Sequence, residues 1–199
     1  MITETAFPLR QTARFLLRQI QQEDRAQIYA ALSNPRVIAH YGIAYDSEAA
    51  TQEQIDWYRQ MEQTQTGYWW AICSAEAPAQ ILGSCGIYEM DSYNRNADLG
   101  YWLLPEHWGL GIMHECLLSV LRFAFEDLQL HRLEVEIEPA NIASAKLVQK
   151  LGFAWEGRRR EVARRDDVYL DLNYYALLAS ESAYHSADHS TNLDANLAD

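Results

Sequence analysis

Between Asp98 and Phe125 the chain reads DLGYWLLPEHWGLGIMHECLLSVLRFAF: an apolar run meets Trp108-Gly109-Leu110-Gly111 and becomes an amphipathic helix. A strand, a glycine turn and a helix start make an anion site from main chain alone. The glycines let the backbone approach a ligand and turn successive N–H groups outward, and the helix N-terminus adds roughly half a positive charge. A pyrophosphate fits such a turn. The turn lacks the Lys-Ser/Thr of a Walker loop and the G-x-G-x-x-G with a later acidic residue of a dinucleotide fold. Taken alone it is equally a tight strand-to-helix connection with no ligand.

A second segment, PANIASAKLVQKLGFAWEG over residues 139–157, carries further chemistry. Asn141 can cap a short helix, Ala145, Val148 and Leu151 can form its buried stripe, and Gly152 ends it before Phe153. Taken together, G-Y-W-L-x-P-x-x-W-G-x-G-I and N-x-x-S-x-x-L-x-x-K-L-G-F-x-x-E-G resemble the GNAT acetyltransferase superfamily, and within it the branch of ribosomal-protein-alanine N-acetyltransferases. The resemblance runs from about Phe15 to about Leu178 and is densest from Asp98 to Gly157. Trp108 stands where the pattern usually has Gln or Arg, and Met113 where it has Gly or Ala. A side chain as large as Met113 either narrows the pyrophosphate cradle or points into the core.

The resemblance implies a mixed α/β GNAT fold: a mostly antiparallel sheet, flanked by helices, that splays between the strand ending at Leu104 and the one ending near Glu138 to admit acetyl-CoA. It implies that Leu103 and Leu104 pair with the pantetheine amides through main chain, and that Trp108, Gly109, Leu110, Gly111, Ile112 and Met113 hold the pyrophosphate. Asn141 matches the residue that bonds the pantetheine arm. Ser144 matches the hydroxyl that protonates the departing sulfur, and the two share one face of a helix. The chemistry needs no metal.

Three carboxylates are open as the base that takes the amine proton. Asp98 precedes the glycine turn, Glu161 follows the W-E-G of the second motif, and Glu89 ends the strand before Asp98. Each is also readable as a strand-end charge facing water. A dedicated base is not obligatory for an α-amine of pKa ~7.7–8.0, which is partly neutral at pH 7, whereas a lysine at ~10.4 is not. The expected reaction is therefore acetyl transfer to an amine, with the α-amino group of a protein, peptide or aminoacyl-type small molecule as acceptor. The alternatives are a small-molecule or antibiotic-resistance acetyltransferase and a non-catalytic acyl-CoA-binding module.

These residues need elements to hold them. ARFLLRQI reads as a first strand, residues 21–35 as a helix stopped before Pro35, and residues 49–65 as a second helix. YWWAICSA, an APAQ turn, ILGSCGIYEMD, a polar SYNRN turn and ADLGYWLL predict a three-stranded meander. After the glycine turn, Met113, Leu117, Val120, Leu121, Ala124, Phe125 and Leu128 fall on one face of a long helix. RLEVEIEP predicts a strand, Asn141 to Leu151 a helix, and residues 153–178 two strands. The aromatics Tyr68, Trp69, Tyr88, Tyr93, Tyr101 and Trp102 lie on the meander, some toward the core and some toward an acceptor.

Composition sets the remaining bounds. The 199 residues suit one domain, expected over residues 13–179 after a short N-terminal segment, 1–12. Residues 180–199 are acidic and poor in large apolar groups, so a disordered tail is expected; a zinc site at His185 and His189 would lack a third ligand. No run is apolar enough to span a membrane and no secretory signal is visible, which predicts a cytoplasmic protein, monomer or homodimer. A net charge of -12 opposes general nucleic-acid binding and favours cationic partners. The cluster Arg158, Arg159, Arg160, Arg164 and Arg165 is an exception, suited either to a cofactor phosphate or to a solvated hairpin edge. Cys73, Cys85 and Cys116 lie in apolar patterns and read as buried thiols.

Overall fold

The computed structural model describes residues 6–183; the expected tail from residue 184 onward, with His185 and His189, lies outside them. The chain runs through strands β1 (Arg10–Gln11) and β2 (Phe15–Gln19) and helices α1 (Arg25–Leu32), α2 (Pro35–Ile38) and α3 (Gln52–Gln63). The meander β3 (Tyr68–Ser74), β4 (Ala77–Asp91) and β5 (Asn96–Leu103) follows, then α4 (Ile112–Arg122), β6 (Arg132–Ile137), α5 (Ile142–Lys150), β7 (Ala154–Arg165) and β8 (Val168–Leu178). The sheet order is β1-β2-β3-β4-β5-β6-β8-β7. Neighbours are antiparallel except β5 and β6, which pair in parallel only at Asn96↔Arg132, Ala97↔Leu133 and Asp98↔Glu134. Beyond Asp98 the two strands diverge with no further ladder.

Two cores cover the sheet. Strand alternation sends Leu99 and Leu133 to one face, where they pack with Leu117, Val120 and Leu121 of α4 and Val148 of α5. It sends Trp69, Ala71, Cys73 and Trp102 to the other, against Ile28 and Leu32 of α1 and Ile55 and Tyr58 of α3. The wholly buried Ser84 satisfies both neighbours, accepting from the Trp69 indole and donating to Trp70 O at 2.9 Å.

The structure departs from the sequence expectation at three places. The first helix stops before Pro35 as expected, but Pro35 itself begins a further short helix: Asn34 Oδ1 accepts from Arg36 N at 3.0 Å, and proline at the first helical position has the right φ and needs no N–H partner. The APAQ segment is the start of β4, with the turn at Ala75 and Glu76. Its ladder is bulged, and the Gln27 side chain bonds Ile81 N (2.9 Å) and Ala79 O (3.0 Å) in place of strand partners. The helix after the glycine turn passes into a π-turn, Phe123–Asp127, in which Leu128 N reaches Phe123 O at 3.0 Å. That widening lets three consecutive residues, Phe123, Ala124 and Phe125, all be buried.

Candidate active site

The glycine turn is built by two left-handed residues. Gly109 has φ +75°, and Gly111, the N-cap of α4, has φ +73°, conformations that cost a residue with a Cβ roughly 1–2 kcal/mol. Space beside Gly109 is open, since a Cβ there would meet nothing within 4 Å. Ile112 and Met113 are buried in the α4 core, so Met113 does not narrow the cradle, while Trp108 and Leu110 are exposed. Glu115 would place a negative charge in the first turn of α4. It is neutralised by Arg14 Nε at 2.7 Å and bonded by Thr12 Oγ1 at 2.6 Å, contacts that hold its carboxyl below the usual range despite its partial burial. The N-terminal strap thus fixes the helix start whose N–H groups face outward.

The gap between β5 and β6 begins where their pairing stops. Leu104 N donates to Leu82 O at 2.9 Å, so antiparallel alternation spends the Leu104 N–H on β4 and turns the main-chain groups of Tyr101 and Leu103 toward the gap. Leu103 and Leu104 therefore differ in what they offer a ligand. The Leu103 carbonyl is further occupied by the Trp108 indole, which donates to it at 2.7 Å. Backbone groups facing a gap without a partner strand are the condition under which an extended ligand pairs as a strand would.

Ser144, in the first turn of α5, meets the Tyr101 hydroxyl at 2.6 Å, joining β5 to α5 across the opening. Burial pushes the Tyr101 phenol up to about 12. Asn141 caps α5, its Oδ1 accepting from Ser144 N at 3.1 Å, and so sets the serine's orientation. The sequence reading left Tyr101 among the general aromatics. Its place beside Trp102 in the G-Y-W-L motif gave the alternation that sends one to each face, but not the partner.

On the opposite face lies Asp98. Its partners across the strands are Tyr88 and Glu134, and burial, with Glu89, Glu134 and Glu136 nearby, raises its carboxyl to about 7. Glu89 sits at a bulge with φ +51°, its carboxylate close enough to Asp98 to help raise it, so two of the three candidate bases are brought together. Glu161 is not among them: it is exposed in a bulge of β7 with φ +54°, its N–H donating to Asp171 Oδ1 at 3.0 Å, and β8 separates its strand from β6. Beside Asp98, Tyr88 packs on Trp69 and on the partly exposed Trp57, at centroid distances of 5.9 and 6.0 Å.

The short helix α2 spans the mouth of the gap. At its start the Arg36 guanidinium lies 4.9 Å from the centre of the Trp108 ring. Just past its end His40 Nδ1 contacts Glu138 Oε2 at 2.9 Å, and Arg165 from the β7–β8 hairpin grips the same carboxylate at 2.6 Å, keeping it ionised. The three cysteines are buried, and burial raises the thiols of Cys85 and Cys116 far from a nucleophile's range. Among the described residues no three His, Cys, Asp or Glu side chains are grouped as a metal site, and no helix is long and apolar enough to cross a membrane.

The sequence and the fold match known proteins. The family model "Acetyltransferase (GNAT) domain" matches residues 14–154. An uncharacterized N-acetyltransferase, YoaA of Bacillus subtilis (strain 168), is 30% identical over 173 residues, 86% of this chain and 97% of its own. Among solved structures, RimL, a ribosomal L7/L12 alpha-N-protein acetyltransferase in complex with coenzyme A, superposes with a TM-score of 0.77 at 18% identity, covering 86% of this chain and 98% of that one. A spermidine N-acetyltransferase from Vibrio cholerae in complex with CoA and spermine gives 0.74 at 21% identity, covering 84% and 96%. The chain belongs to the GNAT acetyltransferase family and is an N-acetyltransferase.

Proposed function

We propose that the protein transfers the acetyl group of acetyl-CoA to the α-amino group of a protein, peptide or aminoacyl-type small molecule. The observation that carries this reading is the placement of a carboxyl tuned to about 7, Asp98, on one face of the β5–β6 gap and the Tyr101–Ser144 pair on the other. A thioester threaded through the gap presents its carbonyl carbon to an amine on the first face and its sulfur to a hydroxyl on the second.

The turn from Gly109 to Met113 holds the diphosphate with main-chain N–H groups, and Tyr101 and Leu103 offer main-chain partners to the pantetheine arm. Asn141 keeps Ser144 aimed at the sulfur. As the amine nitrogen bonds to the carbonyl carbon and the carbon–sulfur bond breaks, Asp98 takes the proton from nitrogen and Ser144 gives its own to sulfur. Tyr101 then supplies Ser144 with a proton, and solvent carries the proton that Asp98 releases back to Tyr101, so none is gained or lost. An α-ammonium of pKa ~7.7–8.0 lies within about one unit of Asp98, whereas a lysine at ~10.4 lies more than three above it. That match favours the α-amine. Glu89, Glu134 and Glu136 around Asp98 also favour a second acceptor class, a small polycationic amine.

Mass spectrometry of a competition between peptides with a free N-terminus and blocked lysines, peptides with the reverse blocking, and an aliphatic triamine separates the readings. Acetylation of the first set at pH 7 is expected. Preference for the triamine selects the second class, and preference for free lysines overturns the α-amine assignment.

A further inference from the structure

We propose that Arg36, carried on α2, binds the diphosphate of the cofactor, supplying the cation that the glycine turn lacks because its leading position is Trp108. This rests on the reading that coenzyme A occupies that turn. Arg36 is exposed, and among the described residues no carboxylate pairs with it, in a chain whose net charge is -12 and whose arginines mostly do find one. What it has instead is the face of an indole, 4.9 Å away, and that indole is itself fixed by its 2.7 Å bond to Leu103 O at the end of β5. The guanidinium is therefore held over Trp108, the residue that precedes Gly109, beside which the space is open. A cation–π contact at an exposed site is weaker than a charge-assisted bidentate bond to a phosphate, so the arrangement stores the guanidinium near an anion site without satisfying it.

The arginines elsewhere in the fold do not fill this role. Arg14 is committed to Glu115, and its Nη atoms lean on Leu110 O at 3.4 and 3.5 Å. In the β7–β8 hairpin Arg165 is committed to Glu138, Arg164 to Asp167, and Arg158 and Arg159 to Asn173 and Tyr174 on the neighbouring strand.

Calorimetry of CoA and 3'-dephospho-CoA with wild type, Arg36→Gln and Arg36→Lys tests the assignment, alongside KM for S-acetylpantetheine, which has no phosphate. Arg36→Gln is expected to weaken both nucleotides by about tenfold or more, the scale of one charge-assisted hydrogen bond. Lysine should recover part of the loss, and KM for S-acetylpantetheine should move by less than twofold. Unchanged CoA affinity overturns the proposal. So does an equal loss on S-acetylpantetheine, which would make Arg36 a prop for Trp108, and so does a loss confined to CoA, which would assign it to the 3'-phosphate. Failure of the wild type to bind CoA overturns the cofactor reading itself, and is seen before any substitution is compared.

Discussion

The hydroxyls of Tyr101 and Ser144 stand 2.6 Å apart, one from the last strand before the splay and the other from the first turn of the helix beyond it. The pair bridges the two arms of the gap. Ser144→Ala is expected to lower kcat by about 10²–10⁴ with CoA affinity nearly intact, the range for losing a positioned acid. Tyr101→Phe should cost less, and the double variant should be no worse than Ser144→Ala alone, because the two act in series. Stopped-flow turnover of the three variants reads this directly; additive losses would separate the hydroxyls.

Asp98 links activity and stability to pH in opposite senses. With its folded value at about 7, kcat/KM should rise with pH through that value as the base loses its proton, and Asp98→Asn should remove both the limb and most of the rate. The folded value lies above the ordinary carboxylate value of ~3.9, so the folded state holds the extra proton between the two. Stability from this group is complete below about 4 and is lost as pH rises through about 7. Thermal melts should show Asp98→Asn more stable than wild type at pH 8, with the advantage gone near pH 4.

Gly111→Val should fold yet fail to bind CoA. A Cβ there has room, its nearest neighbour being Arg14 Nη2 at 3.9 Å, but φ +73° is a conformation that a β-branched residue resists. Relief of that strain rotates the N–H groups of the turn. Unaltered calorimetric affinity in a folded Gly111→Val protein would falsify the cradle.

The Arg18–Asp24 pair should be the costliest ion pair to break among those described. Asp24 is buried, held bidentately at 2.7 and 2.8 Å, and also accepts from Gln21 N at 2.7 Å. Removing it leaves the half-buried guanidinium without a counter-charge, bonded only to Pro78 O and Gln19 O, and the Gln21 N–H without that acceptor. Asp24→Ala should lose about 3–5 kcal/mol in urea melts, whereas Asp56→Ala, opposite an exposed Arg59, should lose under about 1 kcal/mol.

The local devices were legible in the sequence because each is written in adjacent residues. Asn141 as a cap and two glycines at a helix start need only local geometry. Apolar periodicity located nearly all of the elements. The π-turn was not visible, since Phe123-Ala124-Phe125 reads as a continued helix until the sheet shows what each must fill. Nor was the short helix that Pro35 begins, because a proline that follows one helix starts another only where a cap such as Asn34 supports it. Choosing among Asp98, Glu89 and Glu161 needed strand order: pairing brings the first two together and leaves the third beyond β8. Arg36 and Trp108 are far apart in the chain and carry no motif between them.

The last strand of the sheet, β7, has one long edge with no partner strand among the described residues, and Trp155 and Val162 are exposed along it. Such an edge is a template for self-association into fibrils. Here it is interrupted by the bulge between Arg159 and Ala163 and studded with Arg158, Arg159, Arg160, Arg164 and Arg165. The kink and the charged side chains oppose flat pairing of this edge with its own image, even with Arg158, Arg164 and Arg165 paired to Asp171, Asp167 and Glu138, and these carboxylates account for the arginines without a bound phosphate.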